Sequence, residues 1–183
     1  MKKYTRREAL QFLGIGAAAT FARAAEGPTF PKGAIIRTIL RDYAPEELAG
    51  AATLFHEHMQ LGPDFNARFT AATNAVRAEN GLPPLAGRGG RGGPDIQHNV
   101  DLMVAEVTKA KSEGVGCMVD GGHPDMGRDI GFLRQVSMKS GMPIVAGGGF
   151  YTQPFYPKEI STMSEEQIVK ALIKQADTDT LGV

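Results

Sequence analysis

One cysteine, Cys117, stands alone among 183 residues, so no disulfide can close within the chain. It lies in the apolar run "VGCMVD", where it reads as a small buried hydrophobe, and the redox compartment stays open. An excess of one charge is also lacking: Lys and Arg total 20, and Asp and Glu total 20. The balance is uneven along the chain, because Lys2, Lys3, Arg6, Arg7 and Arg23 face Glu8 alone within the first 24 residues. The remainder therefore carries about −4, which argues against a polyanion-binding surface and predicts no nucleic-acid partner. No apolar run makes a convincing membrane span either, since the stretch Ala9 to Ala22 is too short and too rich in Gly and Ala. What is present is 42% hydrophobic residues, enough for one domain with a core.

The amino terminus, "MKKYTRREALQFLGIGAAATFARAAEG", joins a basic start to that apolar stretch and a small-x-small site at Ala22-Arg23-Ala24. Residues 1–24 are read as a signal peptide, the alternative being a basic amphipathic helix. "TRREALQF" resembles the twin-arginine export motif, with Arg6 and Arg7 as the pair. The expectation is a periplasmic or secreted protein, 25–183, with no stable membrane span after cleavage.

Two short apolar runs around a polar turn in "GAIIRTILRDYAPEELAGAATLF" suggest a small β-hairpin feeding a strand that ends near Phe55. Phe65, Phe69, Ala72 and Val76 recur at helical spacing up to Gly81. The loop "LPPLAGRGGRGGPD" follows; its two arginines lack the stacking aromatics of a single-strand binder, and it is read as a flexible excursion. Regularity then sets in. Val100, Met103, Val104, Val107 and Ala110 form a helical stripe before the strand "VGCMVD"; Ile130, Leu133 and Val136 form another before "MPIVAGG". A third helix opens on a capping box, Ser164 with Gln167, and is expected to bury Ile168, Val169, Leu172 and Ile173. Alternating strands and helices predict an α/β fold with parallel pairing.

The residues suited to chemistry sit at the strand ends. In "TLFHEHMQLG", alternation along a strand points His56 and His58 the same way and Glu57 the other, so two imidazoles converge where α/β folds gather their active sites. A metal site and a chance His-x-His remain the two readings, and the spacing is not that of a helical zinc protease motif. Asp120 ends the second strand and either bonds loop amides or faces the site. His123, in "DGGHPDMGRD", is a solvated loop residue or a further site residue. Tyr151, after three glycines, either packs with Phe155 and Tyr156 or offers its phenol to a substrate oxygen.

With these residues in place, "GAATLFHEHMQL" and "GVGCMVDGGHPDMGRDIGFLRQVSMKSGMPIVAGGGFYTQPFYP" resemble the phosphotriesterase family of the amidohydrolase superfamily, from about Gly33 to Val183. The resemblance implies a TIM (β/α)8 barrel with a binuclear divalent metal centre, usually zinc, that activates a hydroxide against phosphotriesters or lactones. It implies His56 and His58 as metal ligands and Tyr151 as the aromatic residue beside the metals, contacting a small-molecule ester substrate. The family's further ligands, a lysine or glutamate on strand four and residues of later strands, have no counterpart here, and Lys170 and Lys174 lie on the preceding helix.

The expectation is therefore a partial barrel, roughly the first three βα units preceded by the hairpin and truncated before strand 4. Its function would be that of the N-terminal portion of an exported metal-dependent hydrolase. A noncatalytic remnant, or a subunit completed by a second polypeptide, is the rival reading. A periplasmic binding module is a third. The expected partners are a homodimer mate or a complementing C-terminal half.

Overall fold

A computed structural model of the chain describes residues 27–85 and 96–179. The leader read over residues 1–24 and the glycine- and arginine-rich run 86–95 lie outside the described residues. Two compact units divide the chain, Met1–Pro31 and Lys32–Val183, and every described helix and strand belongs to the second.

That unit opens on an antiparallel hairpin, β1 (Ile36–Arg37) against β2 (Asp42–Tyr43). Thr38 closes the turn by donating its N–H and its hydroxyl to the Arg41 carbonyl, at 3.1 and 2.7 Å. A single helical turn, α1 (Pro45–Leu48), leads into β3 (Ala52–Glu57), which runs two residues past the expected end at Phe55. There follow α2 (Phe65–Glu79), α3 (Val100–Ser112), β4 (Val115–Asp120), α4 (Ile130–Ser140), β5 (Ile144–Ala146) and α5 (Glu165–Lys174).

β3, β4 and β5 form one parallel sheet in that order, joined by the helical crossovers that parallel strands require. Side chains start the helices: Asn99 accepts from the N–H groups of Asp101 and Leu102, Asp129 from Phe132, and Ser164 exchanges bonds with Gln167 as the capping box requires. The main core lies between the sheet and α3 and α4. Met118, Ile144 and Ala146 meet Met103 and Val107 of α3 and Phe132, Leu133 and Val136 of α4. Leu133, Val136, Met142 and Ile144 are completely buried, and each such side chain contributes about 1.5–3 kcal/mol of transfer free energy. Ile39 ties the hairpin to this core, its N–H donating to the Ile144 carbonyl at 2.9 Å.

Two stripes form as helices yet stay largely uncovered. On α5 the expected burial fails: Ile168 is half-buried, while Val169, Leu172 and Ile173 are exposed, Ile173 by 56%. The capping box and amphipathic spacing suffice for the helix, but no described element lies over its apolar side. On α2 only Phe65 is buried, and Val76 is 57% exposed. β3 and β5 are edge strands, each paired with β4 alone among the described residues. A groove of about 460 Å³ runs beside β5, lined by Val145, Ala146, Gly149, Leu172 and Gln175. A second, of about 280 Å³, runs beside β3, lined by Leu54, Glu57, Met59, Met103 and Val107. No helix among the described residues is long and apolar enough to cross a membrane.

Candidate metal centre

Parallel pairing brings the carboxyl ends of the three strands to one side, and backbone bonds stitch them there. Gly121 donates to the Glu57 carbonyl and Gly147 to the Asp120 carbonyl, both at 2.7 Å. The β3 register slips across Phe55 and His56: Leu54 faces Met118 but Glu57 faces Asp120, so β3 takes three steps where β4 takes two. Such a bulge turns side chains that ideal alternation would fix, and bulges recur next to functional sites.

His56 and His58 do converge. Their Nε2 atoms are 3.1 Å apart, with the rings edge to face at a centroid separation of 4.9 Å. Two nitrogens each about 2.0–2.1 Å from a tetrahedral zinc would stand about 3.3 Å apart, so the pair fits two positions on one ion. A side chain on residue 121 would place its Cβ 3.0 Å from His56 Nε2, and glycine leaves that approach open. Burial, and then the neighbouring His56, hold the His58 pKa below its usual value. The neutral ring this favours is the form that ligates metal. Its carbonyl is fixed by Gln97 Nε2 at 2.9 Å.

Asp120 is fully buried at the end of β4, its carboxylate accepting from the N–H groups of Met59 at 2.8 Å and Gly122 at 2.9 Å. Burial pushes its pKa up, and the two N–H donors pull against that. The loop-bonding reading of Asp120 is the one observed. Gln60, also buried, braces the backbone in a similar way, since its Oε1 accepts from Asp129 N–H at 2.8 Å and so holds the start of α4 near the site.

Tyr151 sits after the glycine run, its N–H donating to Asp125 Oδ2 at 2.9 Å. Its ring packs edge-on against Phe155, with centroids 5.4 Å apart, and beside Phe65 at 5.9 Å. Arg68 caps this aromatic cluster, 4.5 Å over the Phe155 ring. The expected packing on Phe155 is therefore present, whereas Tyr156 turns to Phe150 instead. His123 departs from a solvated loop residue. It is half-buried, with its ring 6.3 Å from that of Tyr151.

Among the described residues, His58 Nδ1, His123 Nδ1 and Asp125 Oδ1 are buried without a hydrogen-bond partner. Each such atom costs about 1–3 kcal/mol, and their gathering around these strand ends marks the region as one where stability has been given up. No group of three or more His, Cys, Asp or Glu among the described residues has the geometry to hold a metal, so no third side chain of these types joins the pair there. Sequence reasoning missed Asp125, Gln60 and Gln175, whose Oε1 accepts from Gly149 N–H at 2.7 Å. Asp125 lies in the polar loop after β4 and was legible as a candidate; Gln175 carried no local signal.

The chain is 25% identical over 147 residues to an N-acetyltaurine hydrolase of Tetraodon nigroviridis, a match covering 76% of this chain and 42% of that protein. A resiniferatoxin-binding protein from Rhodobacter sphaeroides superposes with a TM-score of 0.60 at 23% identity, over 86% of this chain and 45% of the other. A phosphotriesterase homology protein from Escherichia coli, solved with phosphate in its active site, gives a TM-score of 0.53 at 19% identity, over 73% of this chain and 38% of the other. The chain thus spans less than half the length of these relatives. The family model for the phosphotriesterase family matches residues 44–180, from the α1 approach past the end of α5, and the chain belongs to that family.

Proposed function

We propose that this chain supplies the first three βα units of a (β/α)8 barrel hydrolase that cleaves ester-type bonds, phosphotriester or lactone, with a divalent metal, zinc above all. The carrying observation is the His56–His58 pair, with Nε2 atoms 3.1 Å apart at the carboxyl end of a parallel sheet. The N-acetyltaurine hydrolase relative extends the bond class to amides. His56 and His58 would hold one divalent ion, and a binuclear centre would need ligands beyond those described. A divalent ion there supplies Lewis acidity toward the scissile C=O or P=O and lowers the pKa of a coordinated water.

The chain's own residues do the rest. Asp120 fixes the Met59 backbone next to His58 and the Gly122 backbone after β4, and burial lowers the His58 pKa, which favours the neutral ring that ligates. Tyr151, braced by Phe155 and by Asp125, offers its phenol to the substrate and limits water from that side. Export through the twin-arginine leader to the periplasm or medium belongs to the same proposal, as does a homodimer or a complementing C-terminal half. The test is hydrolysis by the product of the complete reading frame. Zinc-dependent turnover of paraoxon, a lactone or an N-acyl amide, lost on chelation and in His56→Ala, is the expected result. Turnover indifferent to chelator and to His56→Ala would overturn it.

A second reading, a noncatalytic subunit, draws on the grooves beside both edge strands and on the lack of a third ligand among the described residues. Fully folded, metal-replete product without turnover on any of the three substrates would favour it.

A further inference from the structure

The hydrolase reading leaves His123 without a role, and its placement calls for one. The residue follows β4 after Gly121 and Gly122, and the turn Pro124–Met126 holds its backbone, with Met126 N–H donating to the His123 carbonyl at 3.0 Å. Its ring is thus carried on a fixed turn. Across from it, Gly149 has φ +107°, and a Cβ there would lie 3.5 Å from Nδ1 and 3.6 Å from Cε1. A bare backbone therefore receives one edge of the imidazole and covers Nδ1. The ring remains half-exposed and makes no side-chain hydrogen bond among the described residues, so Nε2 is its available polar atom. Tyr151 stands 6.3 Å away centroid to centroid, and Gly121, two residues before His123, lies against the His56 ring, where an added Cβ would stand 3.0 Å from Nε2.

We propose that His123 is a specificity-determining residue that, with Tyr151, forms a polar wall beside the His56–His58 pair and selects substrates carrying a hydrogen-bonding group next to the scissile bond. This rests on the hydrolase reading. A neutral imidazole nitrogen donates or accepts according to its tautomer, so it suits an amide N–H or a second carbonyl. A dialkyl aryl phosphotriester, whose P=O faces the metal, offers that wall only alkoxy groups. The favoured class is therefore the N-acyl compound over the simple triester or the unsubstituted lactone.

The test uses the complete reading-frame product loaded with zinc, together with His123→Phe, which keeps a ring without polar atoms, and His123→Gln, which keeps a hydrogen-bonding group. KM and kcat are measured for an N-acyl amide and for paraoxon. Zinc affinity is measured by chelator competition, and the Kd of N-benzylmethanesulfonamide, a non-hydrolysed amide mimic, by ligand-observed NMR. In His123→Phe the amide KM and the sulfonamide Kd should rise about tenfold, the loss of one hydrogen bond. The amide kcat, the paraoxon KM and the zinc affinity should hold, and His123→Gln should recover most of the loss. Unchanged KM and Kd, or a fall in zinc affinity that makes His123 a ligand, would overturn the inference. Wild type that binds the sulfonamide through His123 without hydrolysing anything would sink the hydrolase reading alone; wild type that does neither would sink both.

Discussion

The two ends of the same sheet's packing differ sharply. Where α3 and α4 cover β4 and β5, Leu133, Val136, Met142 and Ile144 have no exposure at all. On β3, one residue before the histidine pair, Phe55 is 78% exposed, and the apolar stripe of α5 is open as well. Buried strands gain from apolar residues on both faces, so a phenylalanine left in water beside an edge strand marks a surface built for a cover. Described elements cover the helix-packed region; they leave the β3 tip and the α5 stripe open. The candidate site, with its pair of histidines, lies at the end of β3 in that uncovered region, and grooves run beside both edge strands.

The comparison can be broken most strongly from its packed side. Leu133→Ala should cost about 2–5 kcal/mol in urea unfolding, the usual range for a buried leucine. A cost below about 1 kcal/mol would mean that the core between α4 and the sheet is not tight. Asp120→Ala strips the partners from the Met59 and Gly122 N–H groups, and the expected loss is about 1–3 kcal/mol. Because Asp120 also fixes the backbone beside His58, the same variant should weaken zinc binding.

A pH titration of stability probes the half-covered tip. The His58 pKa lies below its usual 6.5 in the folded chain, so the unfolded chain takes up that proton first as pH falls. This contribution is intact above about 6.5 and is lost progressively below it, and His58→Ala should flatten that part of the metal-free curve. An identical curve for the variant would remove His58 from the account. The smallest effect belongs to Phe55→Ser, within about 0.5 kcal/mol for the 183-residue chain, as for most exposed positions. In the complete reading-frame product the same change should cost several-fold more if the tip is covered there.

Most of the architecture was legible because helices and buried strands announce themselves locally. The stripe Val100 to Ala110 and the run Val115–Asp120 became α3 and β4 with nearly the expected bounds, and the Ser164–Gln167 box formed as read. The burial of Val169, Leu172 and Ile173 was not legible, since periodicity says which face is apolar and is silent on what lies against it. The histidine pair could be read from alternation, but the bulge between Leu54 and Glu57, which takes in His56, could not. The placement of His123 was not legible for a related reason: in sequence it is a loop residue among glycines, and only the fold sets it against Gly149 and Tyr151.

Zinc titration calorimetry of the 183-residue chain and of the double variant His56→Ala, His58→Ala decides whether the two histidines act as metal ligands without a third among the described residues. Two imidazoles make half of a tetrahedral set, whereas stable zinc sites use at least three protein ligands. The account predicts weak binding by the chain, abolished in the double variant, with background hydrolysis of paraoxon and of an aliphatic lactone. Tight stoichiometric zinc that survives loss of both histidines would contradict it.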